Sequence, residues 1–474
     1  MENIKLVEVL KTFDRKEFKR FGEFVSSLFY NKNKPVINLY KSLSRFYPEF
    51  KSKNFITENV FMEIFPKEKF DYHKINNVIS DLYKLSEKFL ACIGNEKREY
   101  SEQRSMLPEF RLRKLYKIYE QKFAAYMKQL IERPVKDEDY FYYMYEMNDD
   151  YMYYTTKKKP NRDMNMLQNE FDNFFSFSMI RLLKFYCLML HEKIGQNVEY
   201  ELTMFDEIIS YMRNHKIDNN PTLQIFGNIT LLLQTKENKY YEELKMLKEK
   251  YFNELKRADQ YLLFMHLYDH CGYVVNYKED ESYFRDMFEI LREWVEKKFM
   301  TVEDFHYQEL MNIVKIACSV KELEYAEKIL KEYHHHIPKE FKDNVYHYCM
   351  GQIEYAKGNF KTALEFFSKS SFQNFIYKVQ VKITVLKIYY TLERYEEAFG
   401  MIDTFRHFVS REENLPAEHR ESYNLFLKLI SDLIKLKENP DKKDAGFKLK
   451  KIKVETKTMP ANPFGIKVWL MERC

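Results

Sequence analysis

The sequence predicts an all-α protein: a helical N-terminal domain followed by an α-solenoid of stacked helix hairpins. Three observations lead there. Gly (10) and Pro (12) are scarce among the 474 residues, leaving too few turn formers for a fold of many short strands. No segment alternates apolar and polar residues between turn formers, so essentially no sheet is expected. Apolar residues instead recur every three or four positions, and in the C-terminal half a helix-pair pattern returns after thirty-seven and then thirty-five residues.

The elements follow in order. Phe18, Phe21, Phe24, Val25 and Leu28 share one helical face, and Asp14 with Glu17 three residues on has the form of a capping box. FYNKNKP (29–35) is a turn, and Pro35 can open the next helix, which carries Val36, Leu39, Tyr40 and Leu43. Thr57 caps a short helix that Pro66 stops. A longer helix runs from about Asp71 to Ala91, with Gly94 expected to end it. These elements make up an N-terminal domain, residues 1–95. EKREYSEQRSM (96–106) reads as a linker or a fraying helix end. Residues 107–305 read as a degenerate array of helix hairpins. In that array Pro108 opens a long helix to about Glu132, and an aromatic-dense helix spans 138–155. KKKPNRD (157–163) is a loop, and further helices run from Met164 to Gly195 and from about Tyr200 to His215. NNP (219–221) breaks the chain again.

Residues 306–437 carry the repeat and a capping helix, and residues 438–474 a basic tail with a docking helix. In KELEYAEKILKEY (321–333), KGNFKTALEFFSKSS (357–371) and LERYEEAFGMIDTF (392–405), an aromatic residue or Leu stands three positions before an alanine: Ala326, Ala363 and Ala398. An apolar residue follows four positions later: Leu330, Phe367 and Ile402. This arrangement resembles the tetratricopeptide repeat, best in the middle copy, where Gly351, Gly358, Phe360, Ala363 and Phe367 all fit. Val314 and Leu386 stand where Gly351 does, so the outer copies depart from the pattern. KYYEELKMLKEKY (239–251) is a weaker copy without the small alanine. The N-terminal stretches FGEFVSSLFYNKNKP (21–35) and VFMEIFPKEKFDYHKINNVISDLYKLSEKFL (60–90), with KVWLMERC (467–474), resemble an uncharacterised family of bacterial cytoplasmic proteins. That family implies organisation and no activity.

Composition narrows the function. Charged residues make up 31% and apolar residues 45%, as in a folded globular chain. The six cysteines are scattered with no C-x-x-C, as expected of reduced thiols in the cytoplasm. The first residues carry charges throughout and do not read as a signal peptide. No window is expected to reach the run of apolar residues that a membrane span needs. Both ends of the chain are basic around a mildly acidic middle, within an overall charge of +5. The basic stretch FKLKKIKVETK (447–457) is read as a solvated final helix that docks through Leu449, Ile452 and Trp469.

No G-x-x-x-x-G-K, G-x-G-x-x-G, H-E-x-x-H or G-x-S-x-G occurs, so no enzyme of those types is expected and no cofactor is called for. His266, His270 and Cys271 (HLYDHC) place two imidazoles on one helix face, but no partner pair stands elsewhere, and no metal site is expected. His334, His335 and His336 are read as closing a helix, where partly cationic rings oppose its negative end. The tyrosines from Tyr140 to Tyr154 surround their helix and are read as core packing.

Solenoids usually bind on their concave surface. In tetratricopeptide-like stacks the first helix of each hairpin lines this groove. That resemblance assigns Lys315, Gln352, Tyr355, Lys387 and Tyr390 to it. The expected function is a non-enzymatic scaffold that binds a peptide or helix of a protein partner, with the lysines favouring an acidic one. The alternative is a nucleic-acid-associated regulator using the basic N-terminal helices.

Overall fold

The computed structural model describes residues 4–158, 164–196, 198–215, 220–301, 305–372, 374–413, 415–438 and 445–474. Among them every regular element is helical, and the all-α expectation holds. The expected loop 157–163 lies largely outside these residues, as do residues 216–219 before the expected break at Pro221. The chain divides into two units: residues 1–131 with 146–167, and residues 132–145 with 168–474.

The first unit begins with α1 (Lys5–Lys11), α2 (Arg15–Ser26), α3 (Lys34–Ser44), α4 (Thr57–Ile64) and α5 (Tyr72–Glu96). The capping box of α2 is formed: Glu17 N–H donates to Asp14 Oδ1 at 2.7 Å, and Asp14 N–H donates to Glu17 Oε2 at 3.2 Å. Leu28 lies beyond the end of α2 and is 75% exposed, so it does not join the apolar face. Phe18, Phe21, Val25, Leu39, Ile75, Leu82 and Phe89 fill one core. Helix α5 runs through Gly94 to Glu96, because Ile93 is still buried against that core.

The stretch read as a linker is mostly helix. α6 (Ser101–Leu112) contains Pro108 and is followed, after Lys114 at positive φ, by α7 (Tyr116–Ile131). Buried Leu107 and the bond from Arg104 Nη2 to Glu146 Oε1 (2.7 Å) hold the turns ahead of Pro108. The second part of α8 (Glu138–Lys158) packs here, with Tyr119 Oη donating to Asp150 and Tyr154 Oη to Glu120. Tyr119 and Tyr154 are buried and stacked at 4.6 Å, whereas Tyr153 is 57% exposed. Of the tyrosines read as core, Tyr140 and Tyr154 are buried, Tyr142, Tyr143, Tyr145 and Tyr151 are half-buried, and Tyr153 is exposed.

In the second unit follow α9 (Met164–Gln196), α10 (Phe205–Asn214), α11 (Pro221–Thr235), α12 (Asn238–Tyr251), α13 (Arg257–Tyr273) and α14 (Tyr283–Glu296). Contrary to the expectation from sequence, one helix, Asn165–Lys193 within α9, is long and apolar enough by length and composition to cross a membrane. Ile180, Leu183 and Cys187 on it are buried in the unit's core, and Lys184 sits in a buried ion network described below.

Three pairs come next: α15 (Tyr307–Ser319) with α16 (Leu323–Tyr333), α17 (Lys342–Lys357) with α18 (Phe360–Ser368), and α19 (Phe375–Thr391) with α20 (Tyr395–Arg411). Within each pair the two helices pack together, and α15 also packs on α17. Ala326, Ala363 and Ala398 are fully buried. A Cβ on Gly351 would come within 2.7 Å of the Phe367 ring, so only glycine lets α17 and α18 approach this closely. Gly358 closes α17 at φ +84°, a conformation that costs glycine nothing. α21 (Ala417–Glu438), α22 (Ala445–Lys457) and α23 (Ile466–Met471) end the chain.

Candidate functional site

Lys315 lies on α15, Gln352 and Tyr355 on α17, and Lys387 and Tyr390 on α19: the first helices of the three pairs. They do not face open solvent. Residues 459–474, the chain's own C-terminal segment, lie against Lys315, Lys387 and Tyr390. Lys387 Nζ donates to the carbonyls of Phe464 (2.9 Å) and Gly465 (3.4 Å). Lys315 Nζ stands 4.6 Å over the Phe464 ring, and Lys437 Nζ 4.7 Å over Tyr390. The Tyr390 ring meets Trp469 edge-on at 5.2 Å, and Arg473 stacks on the other ring of that contact, 4.2 Å from the centre of Trp469. Gln352 is 6% exposed and its Nε2 has no hydrogen-bond partner among the described residues.

The segment is fixed by its own sequence. Asn462, fully buried, donates its N–H to Asn276 O (2.7 Å) and accepts from Lys467 N–H at Oδ1 (2.7 Å). Phe464 and Gly465 both take positive φ, which turns the chain into α23. Lys467 Nζ donates to Met459 O and pairs with Glu279 at 2.7 Å. Ala461 N–H donates to Ser422 Oγ at 3.0 Å. Trp469, Leu470 and Ile466 then bury themselves in one apolar cluster with Phe426, Ile430 and Ile452. The docking helix expected from Leu449, Ile452 and Trp469 is thus α22 with α23. Phe447 and Val454 on α22 stay exposed.

Burial lowers both lysines. With no counter-charge beside it, Lys315 falls to about 8; Lys387, also repelled by Arg473, falls to about 7. The site therefore offers weakly held protons, backbone-carbonyl recognition and aromatic contacts. It has the chemistry to hold a peptide main chain.

A second polar cluster is structural. Lys184 Nζ (α9) donates to Glu138 Oε2 at 2.6 Å and to both oxygens of Asp259 (α13) at 2.7 and 2.9 Å; Lys256 Nζ donates to Glu138 Oε1 at 2.7 Å. Burial raises both carboxyls, but hydrogen bonds and charge from Lys184 and Lys256 pull Glu138 below its ordinary value, whereas at Asp259 burial, with the Glu138 charge beside it, outweighs the lysines and its value stays raised. This network joins α8, α9 and α13, and neither its partners nor its long separations were legible in the sequence.

The HLYDHC residues do not act as one ligand set. His270 stacks on Tyr241 at 4.9 Å and lies 3.4 Å from Asn238 Oδ1; Cys271 meets the Tyr241 hydroxyl. His266 is instead brought beside Asp269 of the same helix and His191 of α9. His334, His335 and His336 form a 3-10 turn directly after α16. A cleft of about 640 Å³ opens between α10, α11 and α12, lined by Arg213, His215, Asn228, Glu237, Lys239 and Glu243 among others. Along α9, Phe171, Phe174, Leu182, Phe185 and Leu188 are exposed. No family model, curated protein or solved structure matches the chain.

Proposed function

We propose that this chain is a non-enzymatic protein-interaction scaffold of the cytoplasm, which takes a peptide or helix of a protein partner across the first helices of its C-terminal helix pairs. The reading treats those pairs as tetratricopeptide-like hairpins of an α-solenoid. One observation carries it: residues 459–474 already lie on Lys315, Lys387 and Tyr390, with a lysine donating to two main-chain carbonyls. A surface that recognises backbone oxygens and aromatic rings does not depend on one side-chain sequence, so a partner segment of similar chemistry can replace the tail. The two lysines favour an acidic segment.

The test is affinity capture with the full chain and with Trp469→Ala, which loosens the tail, each in nuclease-treated and untreated halves. The reading expects protein partners in both halves, recovered more strongly with Trp469→Ala and lost with Lys315→Glu/Lys387→Glu. Partners that vanish with nuclease would move the function to nucleic acid, and capture indifferent to all three substitutions would remove the groove assignment.

A further inference from the structure

We propose that His191, His266 and Asp269 form a binding site for one divalent transition-metal ion of the zinc class, a role independent of the scaffold reading. The three side chains come from two helices. His266 and Asp269 stand one turn apart on α13, three residues being the spacing that puts two groups on one helix face. His191 reaches them from α9, seventy-five residues earlier than His266. One ligand atom from each lies within 4.8 Å of the others.

The geometry is close to what a metal needs. Zinc bonds to nitrogen and oxygen at about 2.0–2.2 Å, which makes the edge of a tetrahedral site about 3.4 Å. His191 Nδ1 and Asp269 Oδ2 are 3.4 Å apart. A triangle with edges at the 4.8 Å limit has its centre about 2.8 Å from each corner, so an inward shift of about 0.7 Å per donor completes the bonds. Side-chain rotation supplies that.

A second observation points to a ligand. His266 is 2% exposed, and its Nδ1 has no hydrogen-bond partner among the described residues; Asp269 Oδ2 makes no hydrogen bond either and faces only His191 Nδ1 across 3.4 Å. Buried polar atoms are nearly always paired, so a buried imidazole nitrogen left without a partner beside this pair calls for one such as an ion. Two imidazoles and one carboxylate suit zinc-class ions better than calcium or magnesium, which prefer oxygen. His191 and Asp269 are each 41% exposed, which gives an ion a way in and leaves room for water as a fourth ligand.

The charged group facing the cluster from another element is Lys236, which follows α11 and interacts electrostatically with Asp269 and His266. A bound cation has to work against it. Replacing Lys236 should therefore tighten the metal, whereas replacing a ligand should weaken it.

The experiment uses the full chain without a histidine tag, stripped by chelator and titrated with Zn²⁺ alone by calorimetry, with Co²⁺ as a spectroscopic reporter. Wild type is expected to take up one ion per chain. His191→Ala and Asp269→Asn, both at part-exposed positions, should each weaken binding about 10-fold or more with an unchanged circular-dichroism spectrum. Lys236→Met should bind more tightly than wild type. Co²⁺ should give the intense visible bands of a four-coordinate site in wild type and not in His191→Ala. The triple change His334→Ala/His335→Ala/His336→Ala should leave the strong site intact. Equal zinc uptake by wild type and His191→Ala, or loss of uptake only in the triple variant, would overturn the assignment.

Discussion

Replacing Lys184 with methionine removes one charge from the α8–α9–α13 network while keeping most of the stem's volume. Asp259, 1% exposed, loses the bonds at 2.7 and 2.9 Å; Glu138 keeps Lys256 at 2.7 Å. Deleting one partner of a buried pair costs about 3–5 kcal/mol, because the other charge stays buried and uncompensated. The unit that holds it has roughly 320 residues, whose unfolding entropy of about 2.1 cal/mol/K per residue converts that loss into a fall in Tm of about 4–7 °C. The sign with pH is fixed by Asp259. Burial already holds its folded pKa above the unfolded value, and without Lys184 it rises further. A group of this kind penalises folding at pH above its folded pKa, and the penalty disappears as the carboxyl is protonated. Thermal melts followed by circular dichroism at about pH 7 and about pH 5 should therefore show the gap between variant and wild type narrowing in acid. Adding Asp259→Asn to Lys184→Met should recover part of the loss at pH 7. A loss below about 1 kcal/mol, or one that is the same at both pH values and unrelieved by Asp259→Asn, would refute the reasoning.

Three further outcomes are expected. Gly351→Ala places a methyl 2.7 Å from the Phe367 ring and should destabilise by about 1–3 kcal/mol, while Gly400→Ala, whose Cβ meets nothing within 4 Å, should be neutral or gain up to about 1 kcal/mol; paired melts distinguish them. Lys387 is held near 7 by burial, so the cost of seating it as a cation is carried in full below that pH and is relieved as pH climbs toward the unfolded lysine value. The Tm of wild type should then gain more than that of Lys387→Met on going from about pH 6.5 to about 9, and parallel profiles would contradict this. A thiol-reactive dye should label Cys92 and Cys474 quickly in the native protein. Cys187, Cys271, Cys318 and Cys349 are buried, and burial pushes their thiols up, the first three to about 12. Rapid native labelling of all six would show that these helices open readily.

The sequence determined what depends on neighbours within a few turns. Few glycines and prolines, apolar periodicity and the Asp14–Glu17 signal specified helices and a capping box, because helical hydrogen bonds and caps are local. The three alanines marked α16, α18 and α20 because a tight helix pair excludes larger side chains there. Where a boundary depended on burial the sequence misled: α5 continues through Gly94, α6 carries Pro108 inside it, and Leu28 falls outside the core. Packing gains of a few kcal/mol outweigh a single residue's helix preference of about 1 kcal/mol for glycine. The tertiary structure alone decided which distant residues meet. It set Phe464 and Gly465 on Lys387, Lys184 between Glu138 and Asp259, and His191 beside His266 and Asp269. No periodicity encodes those meetings, since each joins residues on different helices through the folding of the whole chain between them.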